Sequence, residues 1–211
     1  MFQPCRLRDI EGWAGLRYLS RLALILEINL EPKQSEAFHT QATEVLYGGA
    51  KGGGKSFLFR VSAVRWCLEV PGIQVYLFRR TLADLRRNHM EGPKALPVIL
   101  KQHIASQHVK YNSQHNQYEF WNGSILHLCY CEAESDVENY QGAEIHVLIP
   151  DEATHYTEYQ YRYLRGQVRR AGLEVPPQYA NRIPRIELGA NPGSVGHAWV
   201  KRTFITPKPA M

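Results

Sequence analysis

Along this chain, short continuous apolar runs alternate with stretches of helical apolar spacing, and the changeovers fall at glycine and proline. Glu44-Val45-Leu46-Tyr47 predicts a short strand that runs straight into a glycine-rich turn, Gly48 to Gly54. From Lys55 to Glu69, apolar residues at Phe57, Leu58, Val61, Val64 and Leu68 predict a helix, which Pro71-Gly72 stops. Gln74 to Phe78 is near-continuously apolar, as a buried parallel strand should be, and Thr81 is placed to cap the helix that follows. Upstream, 33–38 reads as helical after Pro32, and the apolar stretch Leu16 to Leu30 reads as a short helix or an extended arm.

The second half repeats the alternation. Tyr118 to Trp121 and Ser124 to Tyr130, joined by Asn122-Gly123, predict a hairpin whose turn takes both residues at positive φ. Ile145 to Ile149 is a further buried strand, Tyr156 to Arg169 a helix, and Arg185 to Ala190 a last strand closed by Asn191-Pro192-Gly193. Alternating strands and helices predict an α/β fold with a mostly parallel central sheet flanked by helices, plus a β-hairpin around 118–130. A ligand of such a sheet belongs beyond the carboxyl ends of its strands. The organisation expected is an N-terminal arm or helix over 1–30 and one domain over 31–211.

Composition narrows the class. At 211 residues and 44% hydrophobic, the chain can bury a sizeable core. Its longest apolar run, Leu22 to Leu26, is far short of the roughly 20 residues that span a bilayer. No secretory signal is read at the N-terminus, and four cysteines make no disulfide framework at this length, so a reducing cytoplasm is the expected setting. The net charge of +5 is unevenly spread. Residues 60–110 carry nine Lys/Arg and three acids, 111–160 nine acids and no Lys or Arg, and 161–211 nine Lys/Arg and two acids. That fits a polyanion-facing surface set apart from an acidic site; solvated helix faces fit it equally well.

Two motifs carry chemistry. Gly49-Ala50-Lys51-Gly52-Gly53-Gly54-Lys55-Ser56 fits G-x-x-x-x-G-K-[ST] without a gap, between a strand and a helix, where bare backbone N–H groups converge on phosphate oxygens. Lys55 then reaches the β- and γ-phosphates, and the Ser56 hydroxyl can ligate Mg²⁺. Ile145 to Glu152 has the form of a Walker B strand. There Asp151 would hold Mg²⁺ through water, and Glu152 would polarise the attacking water. An acidic turn at a strand end is the plainer reading of Asp151-Glu152 alone. The phosphate loop upstream weighs against it.

These motifs, with the extra Lys51 and with Leu188-Gly189-Ala190-Asn191-Pro192-Gly193 followed by Gly196 to Arg202, resemble the large terminase subunit of tailed double-stranded DNA bacteriophages. The resemblance covers about residues 30–205, that family's N-terminal ATPase domain. It implies an additional-strand, RecA/helicase-like P-loop NTPase whose ATP hydrolysis powers translocation of double-stranded DNA into the procapsid. By the same resemblance Gln34 reads the adenine edge, Asn191 senses the γ-phosphate, and Lys55, Glu152 and Asn191 are catalytic. Phe78-Arg79-Arg80-Thr81 lies near nucleotide or DNA, with Arg79, Arg80, Arg86 and Arg87 as candidate DNA contacts. Also implied are non-sequence-specific duplex DNA, a portal protein and a small terminase subunit as partners. The active form would be a five-membered ring, the isolated chain a monomer, and the setting the cytoplasm of an infected bacterium, with no membrane.

Three departures stand out. Lys51 replaces the family's usual arginine and loses its bidentate fork. Gln141 stands where some relatives have arginine, which leaves Arg162, Arg165, Arg169 and Arg170 as candidate arginine fingers. The family's C-terminal nuclease domain is expected to be absent, so this chain should not cut DNA. Two rival readings remain: another P-loop translocase or helicase-like ATPase (or a kinase, which would not need Glu152), and a nucleotide-dependent DNA-binding switch without turnover. Cys129 and Cys131 are read as ordinary packing, the histidines as packed or surface residues, and Trp121 and Trp199 as core.

Overall fold

The computed structural model of the chain describes residues 5–6, 27–49 and 52–206. The expected arm over 1–30 lies mostly outside them, as do Ala50 and Lys51 of the glycine-rich turn. Near the chain start, β1 (Cys5–Arg6) pairs antiparallel with β2 (Glu27–Ile28). Then follow α1 (Pro32–His39), β3 (Glu44–Gly48), α2 (Lys55–Glu69) and β4 (Gln74–Arg79). Thr81 caps α3 (Leu82–Leu85), its hydroxyl oxygen accepting from the Asp84 N–H at 3.0 Å, and α3 widens into a π turn over Arg86–Met90. Next come α4 (Leu96–Ile99), α5 (Lys101–Ala105), β5 (Val109–Asn112), β6 (Gln117–Phe120), β7 (Ile125–Tyr130) and β8 (Val147–Pro150). The chain closes with α6 (Glu158–Gly166), β9 (Arg185–Ala190) and α7 (His197–Val200).

Seven strands form one sheet in the order β3-β9-β8-β4-β7-β6-β5. The first five run parallel, and the β5–β6–β7 meander adds the antiparallel edge. β9 is inserted between β3, which leads into the glycine loop, and β8, which leads into the acid pair. This is the additional strand that the family resemblance implies. Strand side chains alternate between faces, so each face of the sheet builds its own core. Val75, Leu77, Val147 and Ile149 pack with α2 on one side, while Tyr76, Phe78, Leu148, Ile186 and Leu188 pack with α6 and α7 on the other. Among the described residues no helix is long and apolar enough to cross a membrane.

The structure departs from the sequence reading at several places. The hairpin turn is not a two-residue turn: Asn122 keeps a negative φ and Gly123 alone has φ +81°. The Gly123 N–H donates to Phe120 O at 3.0 Å, and the Phe120 N–H to Ser124 O at 2.9 Å, giving a three-residue loop with its glycine left-handed. The Asn122 side chain is engaged by Cys67 O and the Ser124 N–H, which pins the turn to the end of α2. The predicted helix from Tyr156 to Arg169 shortens to α6, because Tyr156 is buried in the second core and Thr157 is the cap, its Oγ1 accepting from the Gln160 N–H. Trp121, read as core, sits half-exposed at the hairpin tip (47%), while Trp199 is buried.

Candidate functional site

Because β3, β9, β8 and β4 are parallel, their carboxyl ends bring Gly49, Asn191, Asp151 and Arg79 to one edge of the sheet. The glycine loop starts from Gly49 (φ +144°), whose N–H donates to Ala190 O at 3.3 Å, and passes through Gly52 and Gly54 at φ +86° and +68°. These left-handed positions suit glycine. Lys55 opens α2 buried, and its Nζ donates to Gly49 O at 3.2 Å, folding the ammonium back over the loop. Burial pushes the Lys55 pKa down, against the pull of Asp151 and Glu152. Gln34 accepts from the Glu31 N–H at 2.9 Å and donates to Gly54 O at 3.0 Å, so its amide ties α1 to the loop.

The two acids sit in different surroundings. Asp151 is almost fully buried (1%), with Arg79 Nη1 at 3.1 Å and His89 Nε2 at 3.2 Å from its Oδ2. Neither contact is aligned as a hydrogen bond, and both Asp151 oxygens lack one among the described residues. Burial alone would raise this carboxyl; His89, Arg79 and Ser56 outweigh it and hold the group below the ordinary carboxylate value. Burial also pushes the His89 pKa down, against the pull of Asp151.

Glu152 is more open (23%) and adopts φ +66°, a left-handed conformation that costs a side-chain-bearing residue about 1 kcal/mol. Such strain concentrates at functional sites. Three groups hold the carboxylate: Arg79 Nη1 at 3.6 Å, His155 Nδ1 at 3.1 Å, and Asn191 Nδ2, which donates to Oε1 at 3.3 Å. The Thr154 hydroxyl donates to Asn191 O at 3.0 Å, while Asn191 Oδ1 is buried without a hydrogen-bond partner among the described residues.

Magnesium takes oxygen ligands and keeps several of its waters. The Ser56 hydroxyl and the Asp151 carboxylate are that kind of donor set, and the unpartnered Asp151 oxygens are what a metal-bound water would satisfy. Among the described residues no cluster of three or more His, Cys, Asp or Glu could hold a metal by itself.

The other sequence candidates divide. Arg79, read as a DNA contact, is buried against both acids and does not face outward. Arg80 Nη1 donates to Cys131 O and Gln160 Oε1, both at 3.0 Å, which fastens the end of β4 to α6. Arg86 and Arg87 are exposed. None of the four finger candidates Arg162, Arg165, Arg169 and Arg170 reaches the site of its own chain. Arg162 pairs with Glu158, Arg165 pairs with Glu44 at the opposite end of β3, Arg169 donates to Gly142 O and Arg170 to Leu173 O. Sequence reasoning missed His89 and His155. His155, three residues beyond Glu152, reads from sequence as a packed or surface residue; nothing local marks His89. His146, read the same way, is packed: its Nδ1 accepts from the Gln74 N–H at 2.9 Å.

Residues 46–171 match the protein family described as terminase large subunit, T4likevirus-type, N-terminal. Among curated proteins no sequence matches the chain significantly. The fold is similar to that of the large terminase from a thermophilic bacteriophage, with TM-score 0.61 and 17% identity over 84% of this chain and 43% of that one. The same terminase in complex with ADP aligns with TM-score 0.52 and 16% identity, over 76% of this chain and 38% of that one. The N-terminal domain of the DNA packaging ATPase from bacteriophage phi29 aligns with TM-score 0.53 and 12% identity, over 85% of this chain and 87% of that one. The chain thus spans less than half the length of the thermophilic phage terminase.

Proposed function

The chain belongs to the T4likevirus-type terminase large subunit family, and on that premise we propose that it is the ATP-hydrolysing motor domain of a phage large terminase, driving double-stranded DNA into the procapsid. One observation carries this reading: a lysine-bearing phosphate loop, a buried acid, a tethered open acid and an asparagine meet at adjacent strand ends. In this reading Gly49 to Ser56 cradle the phosphates, with Ala50 and Lys51 completing the loop. Lys55 lies against the β- and γ-phosphates, and Gln34 stands at the base side of the loop. The bound Mg²⁺ supplies charge neutralisation on the phosphates; Ser56 would hold it directly and Asp151 through water.

Glu152 accepts the proton of the attacking water. Asn191, already bonded to Glu152, links that carboxylate to the γ-phosphate position. The exposed Arg86 and Arg87 grip the DNA backbone without reading sequence. Arg162, Arg165 or Arg169, turned away from their own site, serve a neighbour's site in a five-membered ring. Portal and small terminase subunits complete the assembly in the host cytoplasm. An alternative, a nucleotide-dependent DNA-binding switch without turnover, draws on one feature: Arg79 contacts both acids. Phosphate release from ATP by concentrated protein, stimulated by duplex DNA and suppressed by salt, supports the motor. ATP binding with no release under any condition supports the switch.

A further inference from the structure

One buried side chain is aimed at the metal-side acid from a segment that no motif marks. His89 is fully buried, and its Nε2 lies 3.2 Å from Oδ2 of Asp151. The backbone bends to bring it there: α3 widens into the Arg86–Met90 π turn, a rare geometry that is frequent at functional sites. Asn88 Nδ2 anchors the turn by donating to Asp84 O at 2.7 Å, and the Arg60 guanidinium, reaching over from α2, donates to Asn88 O. Neither His89 ring nitrogen completes an aligned hydrogen bond among the described residues, and neither does either Asp151 oxygen. Buried polar groups left this way cost free energy and call for an explanation. A further donor arriving at Asp151 supplies one, because it would let the carboxylate turn and close the contact with His89. Arg79 touches the same oxygen at 3.1 Å but also reaches Glu152 at 3.6 Å, so it does not fix one acid alone.

We propose that His89 is a positioning residue for magnesium: its Nε2–H holds one oxygen of Asp151 so that the other faces a metal-bound water beside Ser56. This rests on the ATPase reading above and refines it. The test is binding of a fluorescent ADP analogue to the whole chain over a buffered Mg²⁺ series. In His89→Leu, affinity without metal stays at the wild-type value while the Mg²⁺ half-saturation point rises about tenfold, the low end for losing a group that orients a metal ligand. His89→Gln, whose amide nitrogen reaches about as far as Nε2, restores the wild-type point; His89→Asn, one methylene shorter, does not.

An unchanged half-saturation in His89→Leu overturns the proposal, and so does an equal loss of metal-free and metal-bound affinity. Should His89→Leu not fold, the Gln and Asn variants decide, and identical Mg²⁺ dependence in those two overturns the proposal as well. A wild-type chain that binds no ADP analogue at all overturns the ATPase reading itself, so the two failures are distinct.

Discussion

Gly189 is the position where the packing of the site is least forgiving. It lies inside β9 with an ordinary strand φ, so its backbone needs no glycine; its surroundings do. A Cβ built there would stand 2.4 Å from Cε2 and 3.0 Å from Cζ of Phe59, and 3.1 Å from Oδ1 of Asp151. Phe59 is buried at 1% and packed in the core on the α2 face, where close packing resists displacement of its ring. Overpacking of this kind costs typically 1–3 kcal/mol, and we take about 2 kcal/mol for Gly189→Ala. For a chain of this size that is a fall of about 4–8 °C in melting midpoint. Gly48→Ala is the control: it is also a glycine in a parallel strand of the same sheet, and nothing lies within 4 Å of its added Cβ. Relieving glycine's backbone entropy there should leave stability unchanged or raise it by up to about 1 kcal/mol. Urea denaturation followed by tryptophan fluorescence measures both. Equal stability of Gly189→Ala and Gly48→Ala would refute the claim that Phe59 and Asp151 leave no room on β9.

Arg185 is fully buried and donates to Glu187 and to the carbonyls of Thr40 and Ala42; Arg185→Met therefore costs about 3–5 kcal/mol by stranding Glu187. Adding Glu187→Gln, which still accepts from Trp66 Nε1, should recover part of that loss in the same denaturation assay. Burial pushes the His127 pKa from 6.5 to about 4. Below 6.5 the unfolded chain takes up a proton that the folded chain refuses, so this contribution is complete above pH 6.5 and is lost as pH falls toward 4. By pH 5 the loss reaches about 2 kcal/mol, and His127→Gln should flatten the stability–pH curve by that amount. If Arg86 and Arg87 each neutralise one phosphate, Arg86→Ala/Arg87→Ala lowers the slope of log affinity for duplex DNA against log salt by about 2, with no change in sequence preference.

Strands β4, β8 and β9 were legible in sequence because they lie inside the sheet and carry apolar runs that glycine or proline ends; the partly buried edge strand β3 was marked by the glycine loop after it, and α2 by its helical apolar spacing. β5 was not: Val109 alone of its four residues is buried, so no alternation marks this edge strand. The segment 81–108 breaks into three short helices and a π turn, whose anchoring bonds come from distant residues such as Arg60. The site divides in the same way. Gly49 to Ser56, Asp151, Glu152 and Asn191 are visible because each follows a strand directly, and parallel topology then gathers them. Arg79 also follows that rule, yet its charge suggested DNA while its burial places it between the acids. His89 lies 62 residues before Asp151, and only the folded chain brings the two together.

The most direct measurement is ATP turnover by the concentrated chain with duplex DNA, wild type beside Glu152→Gln, with nucleotide binding followed in parallel. The amide keeps the size of Glu152 and can still meet Asn191 and His155, but it cannot accept the proton of water. The account predicts that the variant binds ATP as the wild type does and turns it over at least about 100-fold more slowly. Equal turnover by the two proteins would contradict it and remove Glu152 from the chemistry.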